Sequence, residues 1–512
     1  MIKRNSELAR TVRRSLWPGR LVKGRGKQRP YAVAVAIVAL VCASQVRAQG
    51  NKGTDVSKVV RLNRAPVSKE VLHVQLPRPT VQKLPNGLTL VLLEDHKLPT
   101  VAFTMMIRPG QLADPDDLPG LASFTAAMLR EGTTTQTSAQ IAKEIDSLGA
   151  SLGANAGFGS GYLSVNASGL APDADKILNL MSDVVLHPTF PDSELAQYKQ
   201  REQSALEQRL SNPGFLANQA LRKALYVEPP LSVDSPTKDS IAKVTSADLK
   251  KFHDQHFTPG NAIVGVTGDF KTADMRALIE KSFGSWSGAA EAPLALPESR
   301  VSEPSKIILV DRPSSVQTYI VAGARTIRRT DPDYYSLVVM NDVLGGGPQA
   351  RLFLDLREEH SYTYGAYSNM SANIYPGDWT GYAAVRTPVT DGSMTQFVYE
   401  YKKIASEAVP ASELDDVHRS IIASFALSLE QPAQVLGSWM TVQYYGLAVD
   451  YWDKYPDRIS GIDAAAVQAA AKKYVDLTHI QWVAVGDRKQ IEPVLKKYGS
   501  VTVVDADGNP EP

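Results

Sequence analysis

Two imidazoles, His253 and His256, stand three residues apart in KKFHDQHFTPGN, a spacing that lets one helix turn both towards a metal ion. The same stretch reads as a helix running out into a turn before a strand, where helix-end histidines commonly have structural roles. The remaining histidines, His73, His96, His187, His360, His418 and His479, are scattered singly, without an HxxEH or HxH partner. No G-x-S-x-G elbow supplies a serine nucleophile, and Cys42 is the only cysteine. Gly345-Gly346-Gly347 is not followed by the Lys-Ser/Thr of a phosphate loop and reads as a flexible turn between helices. Self-contained catalysis has little to stand on.

The elements that position these residues alternate along the chain. Leu88–Leu93 reads as a buried strand after the turn Pro85-Asn86-Gly87, and Val101–Ile107 as a second strand. Helices are expected over Leu118–Arg130, from Thr137/Ser138 to Leu148, and over Asp173–Val185, with a strand at Leu163–Ala167. The second half repeats the first. Pro191-Asp-Ser-Glu-Leu195 returns as Pro410-Ala-Ser-Glu-Leu414, 219 residues on (410 − 191). Ala262–Asp269 returns as Gln481–Asp487, whose closing aspartates stand 218 apart (487 − 269), each unit preceded by a capped helix. Two anchors that agree to one residue indicate a duplicated α+β domain rather than a solenoid.

Gly120–Thr133, GLASFTAAMLREGT, carries a resemblance. It is similar to the metal-site helix of the M16 peptidases, the family of pitrilysin and mitochondrial processing peptidase, whose active members read G-L-A-H-F-x-E-H-M. The frame persists in Gly120-Leu121-Ala122, Phe124, Met128 and Gly132-Thr133. Ser123 and Ala127 stand at the two zinc-binding His positions and Ala126 at the catalytic Glu position. A hydroxyl is a poor zinc ligand and a methyl is none. The family's third ligand, a Glu on a later helix, falls within Tyr198–Arg209, where Glu202 or Glu207 stands. One carboxylate does not hold zinc alone, so no metal or other cofactor is expected in this chain.

The resemblance spans both halves, roughly Thr80 to Tyr498, and implies two homologous α/β sandwich domains, each a mostly antiparallel sheet with helices on one side. They are expected to enclose a substrate chamber. In the second half, LGGGPQARLF and LREEHSYTYG resemble the family's C-terminal signature, which places its substrate-facing Arg and Tyr on Arg357 and Tyr364. A guanidinium and a phenol are suited to a substrate carbonyl or a developing oxyanion. Gly153–Tyr162 matches the edge strand along which family members add a peptide, with Asn155 and Ala156 at its Asn-Ala, although Gly157, Gly159 and Gly161 weaken the strand.

Several M16 peptidases divide their work between two subunits, one holding zinc and one keeping the Arg/Tyr pair. The expected role is therefore a non-catalytic subunit, inactive alone. It would bind a peptide or unfolded protein and complete the chamber of an HxxEH-bearing partner, which would carry the zinc. A peptide-binding scaffold with no proteolytic role is the alternative, followed by a peptidase with an unconventional metal site.

The 512 residues divide into a segment 1–48, a lead-in 49–79, a first domain 80–286, a linker 287–304, a second domain 305–498 and a tail 499–512. Met1–Pro30 is basic, Tyr31–Ala43 is apolar, and Val46-Arg47-Ala48 offers small residues at the positions a signal peptidase reads. The apolar run is short for a membrane span, so cleavage after Ala48 and a periplasmic or otherwise exported location are expected, and Val41 before Cys42 argues against lipidation. Without Met1–Ala48 the chain keeps 55 − 11 = 44 basic and 54 − 1 = 53 acidic residues. A net charge of −9 (44 − 53) excludes a basic nucleic-acid footprint.

Overall fold

Residues 74–226, 228–292, 294–296, 303–506 and 508–510 are described by a computed structural model. The expected signal segment Met1–Ala48, most of the lead-in, His73 and part of the linker lie outside the described residues.

The first half runs β1 (Thr80–Lys83), β2 (Thr89–Glu94), β3 (Thr100–Ile107), α1 (Leu121–Met128), α2 (Ser138–Leu148), β4 (Ser151–Asn155) and β5 (Leu163–Leu170). It continues through α3 (Ala174–Leu186), α4 (Asp192–Leu210), α5 (Pro213–Tyr226), α6 (Lys238–Lys243), α7 (Ser246–His256), β6 (Ala262–Gly268) and α8 (Thr272–Phe283). Local chemistry sets several of these starts. Thr137 and Gln140 form a capping box on α2, and Thr245 and Asp248 one on α7, each satisfying helix-end N–H groups.

The second half runs β7 (Ile307–Asp311), β8 (Gln317–Arg325), α9 (Tyr334–Gly345) and α10 (Arg351–Phe353), which passes into a π-helical turn over Leu354–Glu359. Then come β9 (Thr363–Met370), β10 (Asp378–Arg386), α11 (Thr390–Ser406), α12 (Ala411–Ser428), α13 (Pro432–Tyr445), α14 (Tyr455–Ser460), α15 (Ala464–Tyr474), β11 (Gln481–Gly486), α16 (Arg488–Leu495) and β12 (Val501–Val504). No helix among the described residues is long and apolar enough to cross a membrane.

Each half forms a six-stranded sheet, in the orders β1-β2-β6-β3-β5-β4 and β12-β7-β11-β8-β10-β9. The two are the same design, mostly antiparallel, with one parallel pair in common, β2 with β6 and β7 with β11. They differ at one edge. The first takes its outer strand from before the unit (β1, antiparallel to β2) and the second from after it (β12, parallel to β7). The second domain therefore extends past Tyr498, because residues assigned to a tail supply an edge strand.

The central strands are apolar on both faces. β6 (AIVGVTG) and β11 (QWVAVG) are buried at every position, which requires cover on both sides of each sheet. One cover is each half's own helices: Leu90, Leu92, Val264 and Val266 pack with α1, α3, α7 and α8. The other comes from the opposite half. Helix α13 lays Leu436, Trp439 and Met440 on Val91, Leu93 and Ile263 of the first sheet. Helix α5 lays Leu216, Leu221 and Leu225 on Val310, Val321, Val483 and Val485 of the second. Pro213 and Pro432, which open α5 and α13, stand 219 apart (432 − 213), so the exchange is itself part of the duplication. The expected open chamber between the halves is thus filled by packed helices.

Candidate functional site

Asp114 sets the start of α1. Its two carboxylate oxygens accept the N–H groups of Gly120 at 2.6 Å and Ala122 at 2.8 Å, as suits an anion at a helix N-terminus. On that helix Ser123 and Ala127 share one half-buried face, while Ala126 lies in the core. The space beside Ser123 is occupied by α4. Tyr198 meets Phe124 edge-on, with ring centroids 5.0 Å apart, and its phenol hydrogen-bonds Ser123. Burial pushes the Tyr198 phenol up, and the negative charge of Glu202 adds to that.

Of the two candidate carboxylates, Glu207 is exposed, whereas Glu202 is largely buried and ion-paired with Arg209. Arg209 supplies the positive charge that a metal ion would otherwise set against Glu202. The arrangement does not fit zinc: a hydroxyl, two methyls and a carboxylate already neutralised by a guanidinium make no ligand set. The seven-residue step from Glu202 to Arg209, two helical turns, was the sequence signal for this pair.

The His253/His256 pair does not converge. His253 Nε2 lies 2.8 Å from the Val185 carbonyl, with its ring against Phe257 and its pKa lowered by burial. His256 Nδ1 turns instead to Glu291 at 2.8 Å. Both have structural roles.

The edge strand β4 ends at Asn155. The Asn155 side chain is exposed and accepts a hydrogen bond from Ser164 Oγ at 3.0 Å, but Ala156 is 5 % exposed and packed in the first core. A substrate touching Ala156 would meet its backbone alone. Beyond it the chain leaves the sheet and runs against the second half. A Cβ on Gly159 would lie 2.8 Å from the Tyr375 hydroxyl, and one on Gly161 would collide with that of Tyr444. These glycines serve a close approach between the halves, so the strand an incoming peptide could extend is Ser151–Asn155. Two crevices between the halves, one by Arg108, Arg328 and Tyr444 and one by Arg222, Tyr375 and Tyr445, hold about 310 and 380 Å³, room for only a few residues.

Arg357 and Tyr364 do meet, and two backbone irregularities bring them together. Arg357 lies on the π-helical turn. Tyr364 lies where β9 carries one extra residue against β10, a bulge that re-aims a side chain. Thr363 fixes that bulge, its hydroxyl donating within bonding range of the Gly365 carbonyl at 2.9 Å and the Ala384 carbonyl at 2.7 Å, and accepting the Gly365 N–H at 3.2 Å. Tyr364 stands out 88 % exposed. The Arg357 guanidinium lies 5.7 Å from its ring and 5.9 Å from that of Phe353, within cation–π range, with the Glu358 carboxylate 3.5 Å from Nε. Ser123, Ala126, Ala127 and Asn155, all on the first half, have no hydrogen bond, ion pair or ring contact with either residue among those described.

Comparison with known proteins agrees with this architecture. The family model described as insulinase (peptidase family M16) matches residues 89–232, and that of the peptidase M16 inactive domain matches residues 243–421. An uncharacterized zinc protease, YmxG, of Bacillus subtilis is 24% identical over 347 residues, covering 67% of this chain and 83% of its own. A non-peptidase homolog, also called YmxG, of Helicobacter pylori is 24% identical over 402 residues, covering 78% and 91%. Among solved structures, a peptidase M16 inactive domain from Pseudomonas fluorescens superposes with a TM-score of 0.74 at 26% identity, covering 80% of this chain and 98% of that one. A protease from Helicobacter pylori has the same fold, with a TM-score of 0.74 at 18% identity, covering 80% and 100%.

Proposed function

We propose a function from one premise: the chain belongs to peptidase family M16. It acts as an exported, non-catalytic subunit that binds peptide and completes the chamber of an HxxEH-bearing relative, which carries the zinc. The observation that carries this reading is an asymmetry. The first half has lost both histidine ligands and the catalytic Glu at its metal position and has paired Glu202 with Arg209, while the second still presents Arg357 and Tyr364 to solvent on a π turn and a bulge. Irregular backbone of this kind is retained where a side chain must be aimed. The filled space between the two halves adds support, since a chamber then needs a second chain. The basic, apolar and small-residue order of Met1–Ala48 supports export.

At the partner's zinc, the Arg357 guanidinium and Tyr364 hydroxyl would donate to the scissile carbonyl and to the oxyanion that grows from it. Removing such donors costs on the order of 10²–10³ in rate. The test is reconstitution with an HxxEH-bearing M16 protein, assayed on an unfolded polypeptide. Arg357→Ala with Tyr364→Phe should lower kcat/KM by about 10²-fold while the complex elutes unchanged from a sizing column. Undiminished cleavage sinks the role. The free edge of β4 favours a second reading, a peptide-binding scaffold, which would bind peptides yet never assemble with a zinc-bearing relative.

A further inference from the structure

We propose that the π-helical turn of the second half binds a divalent first-row transition cation through Asp355, Glu359 and His360. In an α-helix the residue at i+4 shares a face with residue i and the one at i+5 does not. The wider π turn changes this. The His360 N–H closes on the Asp355 carbonyl at 3.0 Å, five residues back, and both i+4 and i+5 then flank residue i. One carboxylate oxygen of Asp355, one of Glu359 and a ring nitrogen of His360 all lie within 4.8 Å of one another. Metal–ligand bonds of about 2.0–2.2 Å set such atoms roughly 3–3.5 Å apart, a small adjustment.

Asp355 faces this cluster from a buried position. Its side chain is 8 % exposed, with Oδ1 against His360 Nδ1 at 2.8 Å and no other hydrogen-bond partner for that oxygen. The same ring nitrogen lies 3.2 Å from the Asp355 main-chain carbonyl. On the facing helix α11, Glu400 is 4 % exposed and its Oε2 lacks a hydrogen bond. The charges around the turn do not cancel. Arg351 is bonded to Glu413 at 2.7 and 2.9 Å and its charge also acts on Glu400, so that Arg351 and Lys403, the latter 3.9 Å from Glu400, stand against Asp355, Glu359, Glu400 and Glu413. A cation offsets that excess. Gln396 Nε2, 3.3 Å from His360 Nε2, supplies the outer contact: with its amide turned, Oε1 accepts Nε2–H and frees Nδ1 for the ion.

Two carboxylates and an imidazole suit zinc or manganese, and the exposed Glu359 side leaves the other positions to water. The ion would tie the two ends of the turn on which Arg357 stands. This holds whether or not the chain works with a proteolytic partner.

The experiment is a calorimetric titration of the chelator-stripped full chain, free of any affinity tag, with Zn²⁺. One ion per chain should bind saturably and raise the melting midpoint. His360→Ala should weaken binding at least about tenfold, as loss of a ligand does, while metal-free melting stays at the wild-type value. Glu359→Gln, at the surface, should weaken it as well and serves as the readout should the His360 variant misfold. His253→Ala should leave Zn²⁺ binding unchanged. No saturable binding by the wild type, or binding left intact by Glu359→Gln and His360→Ala, overturns the site.

Discussion

Asp114 shows how one buried carboxyl both builds and strains the degenerate site. Burial pushes it up to about 7, against the pull of the Ala122 and Gly120 N–H groups. A folded pKa above the unfolded 3.8 means that the folded chain holds this proton more tightly. Its contribution to stability is therefore complete below about pH 4 and lost as pH rises through 7. Relative to Asp114→Asn, the wild type should lose up to about 4 kcal/mol between pH 4 and pH 8. Thermal midpoints of the two proteins across that range measure this, and a constant difference rules it out. At this scale much was legible: set in the M16 frame, Ser123 and Ala127 declare the missing ligands and Ala126 the missing base. What replaced them was only partly so: the spacing of Glu202 and Arg209 along one helix hints at their pairing, but Tyr198 reaches Phe124 and Ser123 through helix packing that no local pattern encodes. Nor was the burial of Ala156 legible, since the strand's exit from the sheet, not its sequence, turned that methyl into the core.

Elements aim the Arg357–Tyr364 pair, and regular ones would not serve. Continued as an ordinary α-helix, Leu354–Glu359 would turn Arg357 by the difference between the two helix types. Without its extra residue, β9 would place its side chains by strict alternation. Thr363 is the lock on the bulge, so Thr363→Val removes one donated proton, shared between the Gly365 and Ala384 carbonyls, and one acceptor for the Gly365 N–H, while keeping the side chain's shape. The expected cost is about 1–3 kcal/mol, because the Ala384 and Gly365 carbonyls lose a donor in a half-buried setting. Cleavage by the reconstituted pair should fall further than stability explains, since Tyr364 loses its direction. A loss of activity no larger than the loss of folded protein would show that the bulge does not aim the residue. Strand and helix cores were readable from periodicity, and the capping boxes at Thr137 and Thr245 from composition. The π turn and the bulge were not, because each is a compromise between neighbouring elements.

At the scale of the whole molecule, the two halves are a single folding unit made of interlocked repeats. The 219-residue period was visible in the sequence, but not which helix covers the second face of each sheet. That cover is reciprocal, so neither sheet keeps both faces buried if the halves part. Trp439 ties α13 to the opposite half twice over, packing on the first sheet's outer face and donating from Nε1 to the Pro77 carbonyl at 2.9 Å. Trp439→Ala should cost about 3–5 kcal/mol, as for other buried aromatics. Because Trp439 belongs to the second half and its pocket to the first, the loss should lower one shared unfolding transition. Cutting the chain within the linker 287–304 should leave the fragments associated, since α5 and α13 still cross between them. Calorimetry of Trp439→Ala and sizing of the nicked protein test the same claim from two sides. Two separate transitions, or fragments that elute apart, would show that the halves are independent domains and that the exchanged helices only rest on the neighbouring sheet.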